Sequence, residues 1–190
     1  MKTSTKILLI LLTVTASQAH AAFVNSYKFS NWTKTINGGS ITTSTAKNSV
    51  TLVSSNNGGG TKNQDFTIKA DTASLVTFTW NFITKDKDGP SYDPFGWVLN
   101  GIFMQLTKNS GINTQTGTFS AKVNKGDLFG FRANSYDSVY GSATTVITNF
   151  SVIAQASSAT VQAPSQVPVP AALWLMVVPM AGLGLFRKKA

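Results

Sequence analysis

Hydrophobic and polar residues alternate along the central part of the chain with the two-residue period of half-buried β-strands. The pattern is clearest in 75–82, where every second residue is large and apolar. The same alternation recurs in four further segments, 65–70, 118–123, 128–133 and 143–154. No stretch between 23 and 160 keeps the 3.6-residue period of a helix. The pattern therefore predicts strands, with Phe78, Trp80 and Phe131 in the core between them.

Turn-forming residues separate these segments at short intervals. They are found at 37–39, 56–60, 88–90, 100–101 and 125–127. About eight strands with this spacing predict an antiparallel β-sandwich of the jelly-roll or a related type. We expect one such domain over 22–154, followed by a linker over 155–166 that is rich in Ser, Ala, Gln and Pro.

The first residues have the composition of a secretory signal peptide. Lys2 and Lys6 are followed by an unbroken apolar run over 7–12 and then by Ala-His-Ala at 19–21. This order of a basic region, a short apolar region and a small-x-small site is what signal peptidase recognises. The run is far shorter than the ~20 residues of a membrane-spanning helix. We therefore predict a signal peptide over 1–21, cleaved before the sandwich domain.

The last residues combine an apolar stretch with a basic tip. No charged residue occurs over 167–186, and Arg187, Lys188 and Lys189 follow directly. The stretch is long enough for one transmembrane helix, since such helices need about 17–25 residues. Positive residues keep the adjoining end cytoplasmic, which would place the sandwich domain on the outer side of the membrane.

Several reactive side chains are missing from the sequence. There is no cysteine and no glutamate, and the only histidine, His20, lies in the predicted signal peptide. Catalytic triads, thiolate nucleophiles and His- or Cys-ligated zinc sites are therefore excluded from the secreted part. The basic residues of the domain are scattered rather than clustered, which argues against nucleic-acid binding. We expect a protein that is not an enzyme.

Aspartates are concentrated in one segment of the predicted sandwich. Asp86, Asp88 and Asp93 lie close together in the sequence, and Asp137 occurs in a later predicted loop. Calcium prefers several oxygen ligands, so loops that meet at one end of a sandwich are able to form such a site from these side chains. Asp-Gly and Asp-Pro pairs also form turns for backbone reasons alone. A hydrolase that uses two of the aspartates is a third reading, which would require two carboxylates across a cleft.

Aromatic residues accompany these aspartates: Tyr92, Trp97, Tyr136 and Tyr140. If exposed, they would form a platform on which a sugar ring stacks. Aromatic residues in loops also pack over the ends of sandwiches, so both readings stay open.

Part of the domain resembles CUB modules. Tyr92-Asp93, followed by a strand and then Asn100-Gly101, is similar to the Tyr-Asp and Asp-Gly passage of that family, and 129–137 is similar to its strand and Asp loop. The resemblance implies calcium ligands at Asp86 or Asp88, Asp93 and Asp137. The sequence departs from the family in having Asn100 where the Asp of the Asp-Gly pair is expected, and in lacking disulfides.

The chain's end strongly resembles the PEP-CTERM sorting signal. Val167-Pro168-Val169-Pro170 opens the apolar stretch, and the basic tip at 187–189 closes it. The resemblance implies processing by an exosortase in a Gram-negative bacterium that makes extracellular polysaccharide. It also implies a final position at the cell surface or in the biofilm matrix. We therefore expect a non-catalytic structural or interaction protein of the surface, or alternatively a carbohydrate-binding module for exopolysaccharide that calcium supports.

Overall fold

A computed structural model describes residues 20–21 and 23–155 of the chain. They form two antiparallel β-sheets packed face to face, which confirms the predicted all-β sandwich. The strands are β1 His20–Ala21, β2 Thr33–Thr35, β3 Ser40–Ser44, β4 Ser49–Val53, β5 Lys62–Lys69, β6 Ser74–Thr84, β7 Phe95–Leu99, β8 Ile102–Gln105, β9 Thr114–Val123, β10 Leu128–Ser135 and β11 Ala143–Ala154. Two short 3₁₀ turns, Asn25–Tyr27 and Phe29–Asn31, precede β2.

Neighbouring strands in each sheet are mostly distant in sequence. The six-stranded sheet has the order β3-β4-β11-β6-β9, with β1 paired to β11, and the five-stranded sheet has the order β2-β5-β10-β7-β8. Every pairing is antiparallel. As a result, most connections cross from one sheet to the other, and loops collect at the two ends of the sandwich.

The alternation seen in the sequence is the alternation of burial in β6. The even-numbered residues from Val76 to Phe82 are at most 6% exposed, and the odd-numbered residues between them are more exposed. β11 spans the predicted segment 143–154 and pairs with β6 along most of its length. A register shift between Thr148 and Ser151 marks a bulge in that pairing.

Aromatic rings fill the space between the sheets. Trp32 stacks on Phe66 with ring centroids 4.6 Å apart and on Phe131 at 5.6 Å. Phe78 meets Phe131 edge to face at 4.8 Å. Trp80 is 6% exposed, so the three residues predicted for the core all lie in it. Aromatic pairs of this kind add about 0.5–1.5 kcal/mol each beyond simple burial.

Within the described residues, no helix is both long and apolar enough to cross a membrane. The predicted transmembrane segment and sorting signal at 167–190 lie outside the described residues. So do the linker beyond Gln155 and the signal peptide apart from β1.

Candidate functional site

Four loops meet at one end of the sandwich, which we name the loop end. They are 54–61, 85–94, 106–113 and 136–142. Backbone hydrogen bonds join them in pairs: Gly58 N–H donates to the Ser138 carbonyl, Thr84 N–H to Asn113 and Tyr136 N–H to Tyr92, at 2.6–2.9 Å. The loops therefore support one another.

A glycine permits the closest approach between two of these loops. Gly141 has φ of +141°, and a Cβ built on it would lie 2.4 Å from the carbonyl oxygen of Lys85. No larger residue fits there without movement of the backbone. The Lys85 N–H in turn donates to the Ser142 carbonyl at 3.0 Å. Loops 85–94 and 136–142 are thus held together beside the predicted acidic residues.

Two of those acidic residues are buried beneath the loops. Asp86 is 2% and Asp93 is 1% exposed. One oxygen of Asp86 accepts the Asp88 N–H at 2.7 Å, but the other has no partner, and neither oxygen of Asp93 has one among the described residues. A buried carboxylate without partners is costly, because it has lost its water and gained no hydrogen bond or opposite charge in return.

The electrostatics of the cluster show the same cost. Burial, with smaller contributions from the nearby Asp86 and Asp137 carboxylates, raises the pKa of Asp93 to about 6. The hydroxyls of Ser135 and Ser54 lie close enough to lower that pKa, but neither makes a hydrogen bond of normal geometry to the carboxylate, so burial dominates. Burial also raises the pKa of Asp86, against the lowering effect of the Asp88 N–H and with a raising effect of Asp137.

No described cation offsets these charges. The only ion pair among the described residues joins Arg132 to Asp65 at 2.7 Å, on a different part of the sandwich. Over the same residues, no three acidic side chains are arranged to ligate one metal ion directly. A bound calcium ion would therefore need carbonyl, hydroxyl or water oxygens besides carboxylates, as calcium sites commonly use.

The structure separates the four predicted calcium ligands into two kinds. Asp86, Asp93 and Asp137 lie within electrostatic reach of one another. Asp88 is exposed, and its backbone N–H caps the Asp86 carboxylate in a turn. The carboxylate that forms this turn is that of Asp86, so Asp86 has the turn-forming role that was the alternative interpretation, and Asp88 contributes only its backbone N–H.

The tyrosines lie above this buried cluster. Tyr92, Tyr136 and Tyr140 are 41%, 48% and 60% exposed. Tyr92 and Tyr136 each precede an aspartate of the cluster, with Asp93 buried and Asp137 half-buried next to the exposed tyrosines. Because the Tyr136 N–H bonds to the Tyr92 carbonyl at 2.8 Å, these two residues are adjacent in space.

The structure corrects the prediction that Trp97 belongs to an exposed aromatic platform. It lies in β7 and is only 1% exposed, stacked on Phe129 at 5.2 Å and on Phe78 at 5.8 Å. It is therefore unavailable for stacking on a sugar. Its place was readable from the alternation of Phe95, Trp97 and Leu99, which puts Trp97 on the inner face of the sheet.

Sequence reasoning missed the polar residues that line the cluster. Ser54 and Ser135 are at most 2% exposed and sit beside Asp93. Nothing in the local sequence distinguishes these two residues from the many other serines of the chain.

No family model and no curated protein matches the chain. Among solved structures, the Podospora anserina GH26-CBM35 β-(1,4)-mannanase is 16% identical with a TM-score of 0.36, over 69% of this chain and 27% of that one. A family 35 carbohydrate-binding module from Clostridium thermocellum is 12% identical (TM-score 0.30; 61% and 87% covered). The C-terminal CBM6 of LamC from Zobellia galactanivorans is 14% identical (TM-score 0.28; 59% and 89% covered). This chain thus spans about a quarter of the mannanase.

Proposed function

We propose that this chain is a non-catalytic binding module that holds polysaccharide at its loop end. The observation that carries the proposal is the set of exposed tyrosines, Tyr92, Tyr136 and Tyr140, on loops joined by backbone hydrogen bonds. Tyrosine offers an apolar ring face to the C–H groups of a sugar and a hydroxyl to its oxygens. An aromatic surface of this kind suits a flat, polar polymer better than a peptide.

The burial of the acidic cluster supports a binding role over a catalytic one. Hydrolysis of a glycosidic bond uses two carboxylates that flank the bond. Asp86 and Asp93 are covered by the loops and do not present their oxygens to a substrate in solvent. The same burial suits a structural cation beneath the binding surface.

We also propose that a calcium ion supports the loop end. The ion would be held by Asp93 and Asp86, with Asp137 nearby, because the unpartnered oxygens of the first two are buried and point to a missing positive charge. Calcium accepts carboxylate, hydroxyl and carbonyl oxygens in flexible geometry, which suits a site of mixed ligands. A bound ion would fix the loops that carry the tyrosines.

The last part of the proposal concerns how the chain is exported and sorted. We infer from the sequence that the chain leaves the cytoplasm by its signal peptide and is sorted through the PEP-CTERM segment by an exosortase. The module would then meet exopolysaccharide at the cell surface or in the matrix. Fractionation of cells that express the wild type beside a Pro168/Pro170 double alanine variant tests this part. Full-length chains of both in the inner membrane would contradict it.

The sugar proposal is tested on a glycan array with the full chain and a Tyr92→Ala/Tyr136→Ala double variant. We expect the variant to lose at least tenfold in affinity, which corresponds to about 1.4 kcal/mol. Ile102→Ala is a matched control, because Ile102 is 74% exposed and lies in β8, outside the loop end. Glycan binding that survives in the double variant, or falls equally in the control, would rule out the tyrosine platform.

The calcium proposal is tested by thermal unfolding of the full chain in EDTA and in millimolar calcium. At a calcium concentration of 100 Kd we expect stabilisation of about 2.7 kcal/mol. The Asp86→Asn/Asp93→Asn variant should lose this response. Asp127→Asn, which removes a carboxylate at the opposite end, should keep it. An unchanged unfolding temperature in the wild type would refute the site.

A further inference from the structure

The end of the sandwich opposite the tyrosines, which we name the base, contains a cleft of about 460 Å³. This volume is within the range of about 300–1,000 Å³ that is typical of small-molecule sites. The cleft lies between the first 3₁₀ turns, the end of β5 and the turn between β9 and β10. Its lining includes Ser26, Asn31, Ile68, Lys69, Asp71 and Lys125.

Two lysines supply positive charge to this cleft. Lys69 is the last residue of β5 and Lys125 lies in the β9–β10 turn, and both side chains are exposed. Over residues 20–21 and 23–155, neither ammonium group makes an ion pair, because the only such pair is that of Arg132 with Asp65. Both lysines are thus free to meet an anion.

An aspartate in the same wall limits which anion fits. The Ser26 hydroxyl donates to one oxygen of Asp71 at 3.0 Å, and the Asp71 N–H donates to the Tyr27 hydroxyl at 3.3 Å. The first bond holds the carboxylate and leaves its other oxygen to accept from a ligand, and the second fixes the backbone of Asp71. A doubly charged phosphate would be repelled by Asp71. A singly charged carboxylate with hydroxyls beside it satisfies both the lysines and Asp71.

We propose that the base cleft binds a hexuronate residue of an acidic polysaccharide. Lys69 and Lys125 bind the sugar carboxylate, and Asp71 and Asn31 bind its hydroxyls. The choice of a sugar rests on the proposed function, whereas the position of the cleft does not. β6 spans 11 residues, so the base and the loop end lie roughly 35 Å apart. One module would therefore hold two polysaccharide segments and cross-link them.

Isothermal titration of the full chain with trigalacturonate, and with the neutral galactotriose, tests the cleft. We expect the acidic trisaccharide to bind, with an affinity that falls as sodium chloride is added. Lys69→Gln/Lys125→Gln should weaken that binding at least tenfold. Lys47→Gln/Lys122→Gln, which removes the same charge elsewhere on the surface, should not change it. Equal losses in the two variants, or none in the first, would overturn the proposal.

Further arms separate this inference from the proposed function. Tyr92→Ala/Tyr136→Ala should leave lysine-dependent trigalacturonate binding intact, and its loss in that variant would contradict a separate site. Inorganic phosphate that competes as well as trigalacturonate would refute the uronate assignment. If trigalacturonate binds through the lysines while the glycan array shows no tyrosine-dependent binding, the proposed function is refuted and the proposal for the base cleft is supported. If the array shows tyrosine-dependent binding and trigalacturonate does not bind, only the proposal for the base cleft is refuted.

Discussion

The carboxylates of Asp93 at the loop end and Asp127 at the base have very different surroundings. Asp127 accepts the side-chain N–H of Asn100 at 3.0 Å and the backbone N–H of Asn124 at 2.7 Å, and these bonds lower its pKa. Asp93 is buried without a hydrogen-bond partner among the described residues, and its pKa is raised to about 6. One carboxylate completes a turn, whereas the other lacks a positive partner.

The difference teaches that position in a loop does not decide the role of an aspartate. At the base, the carboxylate is a structural acceptor that fixes the β9–β10 turn against Asn100. At the loop end, burial of Asp86 and Asp93 costs folding free energy unless a cation or a proton neutralises them. A protein tolerates such a cost where a site needs it, which is why we assign the ligand-supporting role to the loop end.

Substitution of one glycine at each end should give the largest difference in the free energy of unfolding. Gly141→Ala should destabilise the fold by about 3 kcal/mol, because an added Cβ meets the Lys85 carbonyl at 2.4 Å and φ is positive. Gly126→Ala in the base turn should cost only about 1 kcal/mol, since its φ is +91° but nothing lies within 4 Å of the added Cβ. Urea unfolding of both variants measures the difference.

Equal losses in the two glycine variants would show that backbone strain alone sets the cost. The close contact of loops 85–94 and 136–142 would then contribute nothing to the difference in the free energy of unfolding. A larger loss in Gly126→Ala would reverse the comparison between the two ends.

In the absence of metal, removal of a carboxylate charge should stabilise the fold at the loop end and destabilise it at the base. In EDTA, Asp93→Asn should stabilise the fold by on the order of 2 kcal/mol, because it removes a buried charge that has no partner. Asp127→Asn should destabilise it, because the charge that accepts two hydrogen bonds is lost. Thermal unfolding of the two variants beside the wild type gives both signs. Destabilisation by Asp93→Asn in EDTA would show that the native site already satisfies its charge.

Much of the sandwich was predictable because burial and side-chain alternation have the same period in a strand. β11 covers the predicted segment 143–154, and Phe78 and Phe131 lie in the core as expected. The short strands β2, β3, β4 and β8 were not predicted individually. They are three to five residues long, and a run this short contains too few alternations to reveal a pattern.

The acidic cluster was predictable only in part. Composition and turn signals were enough to bring Asp86, Asp93 and Asp137 to one end of a sandwich. Burial was not readable, because it depends on how loops from distant parts of the chain cover one another. For the same reason Asp88, a near neighbour in sequence, lies exposed.

The pH dependence of stability should have the clearest sign. The pKa of Asp93 is about 6 in the fold against 3.8 for an ordinary aspartate, so the folded state binds its proton more tightly than the unfolded state does. The stability that this proton provides is present below about pH 4 and is lost as the pH rises to about 6. Asp86 acts in the same direction, because its pKa is also raised. Asp127, with a lowered pKa, contributes stability that is lost only as the solution becomes more acidic.

We therefore expect the unfolding temperature of the metal-free chain to fall between pH 4 and pH 6, more steeply in the wild type than in Asp93→Asn. Calcium at pH 6 should remove most of the fall, since the ion replaces the proton as the positive partner of the carboxylate. Parallel curves for wild type and Asp93→Asn would mean that Asp93 is neutralised in the native loop end by a group of the protein itself. In that case the contrast with Asp127 would be one of burial alone, and the loop end would need no cation to hold the tyrosines in place.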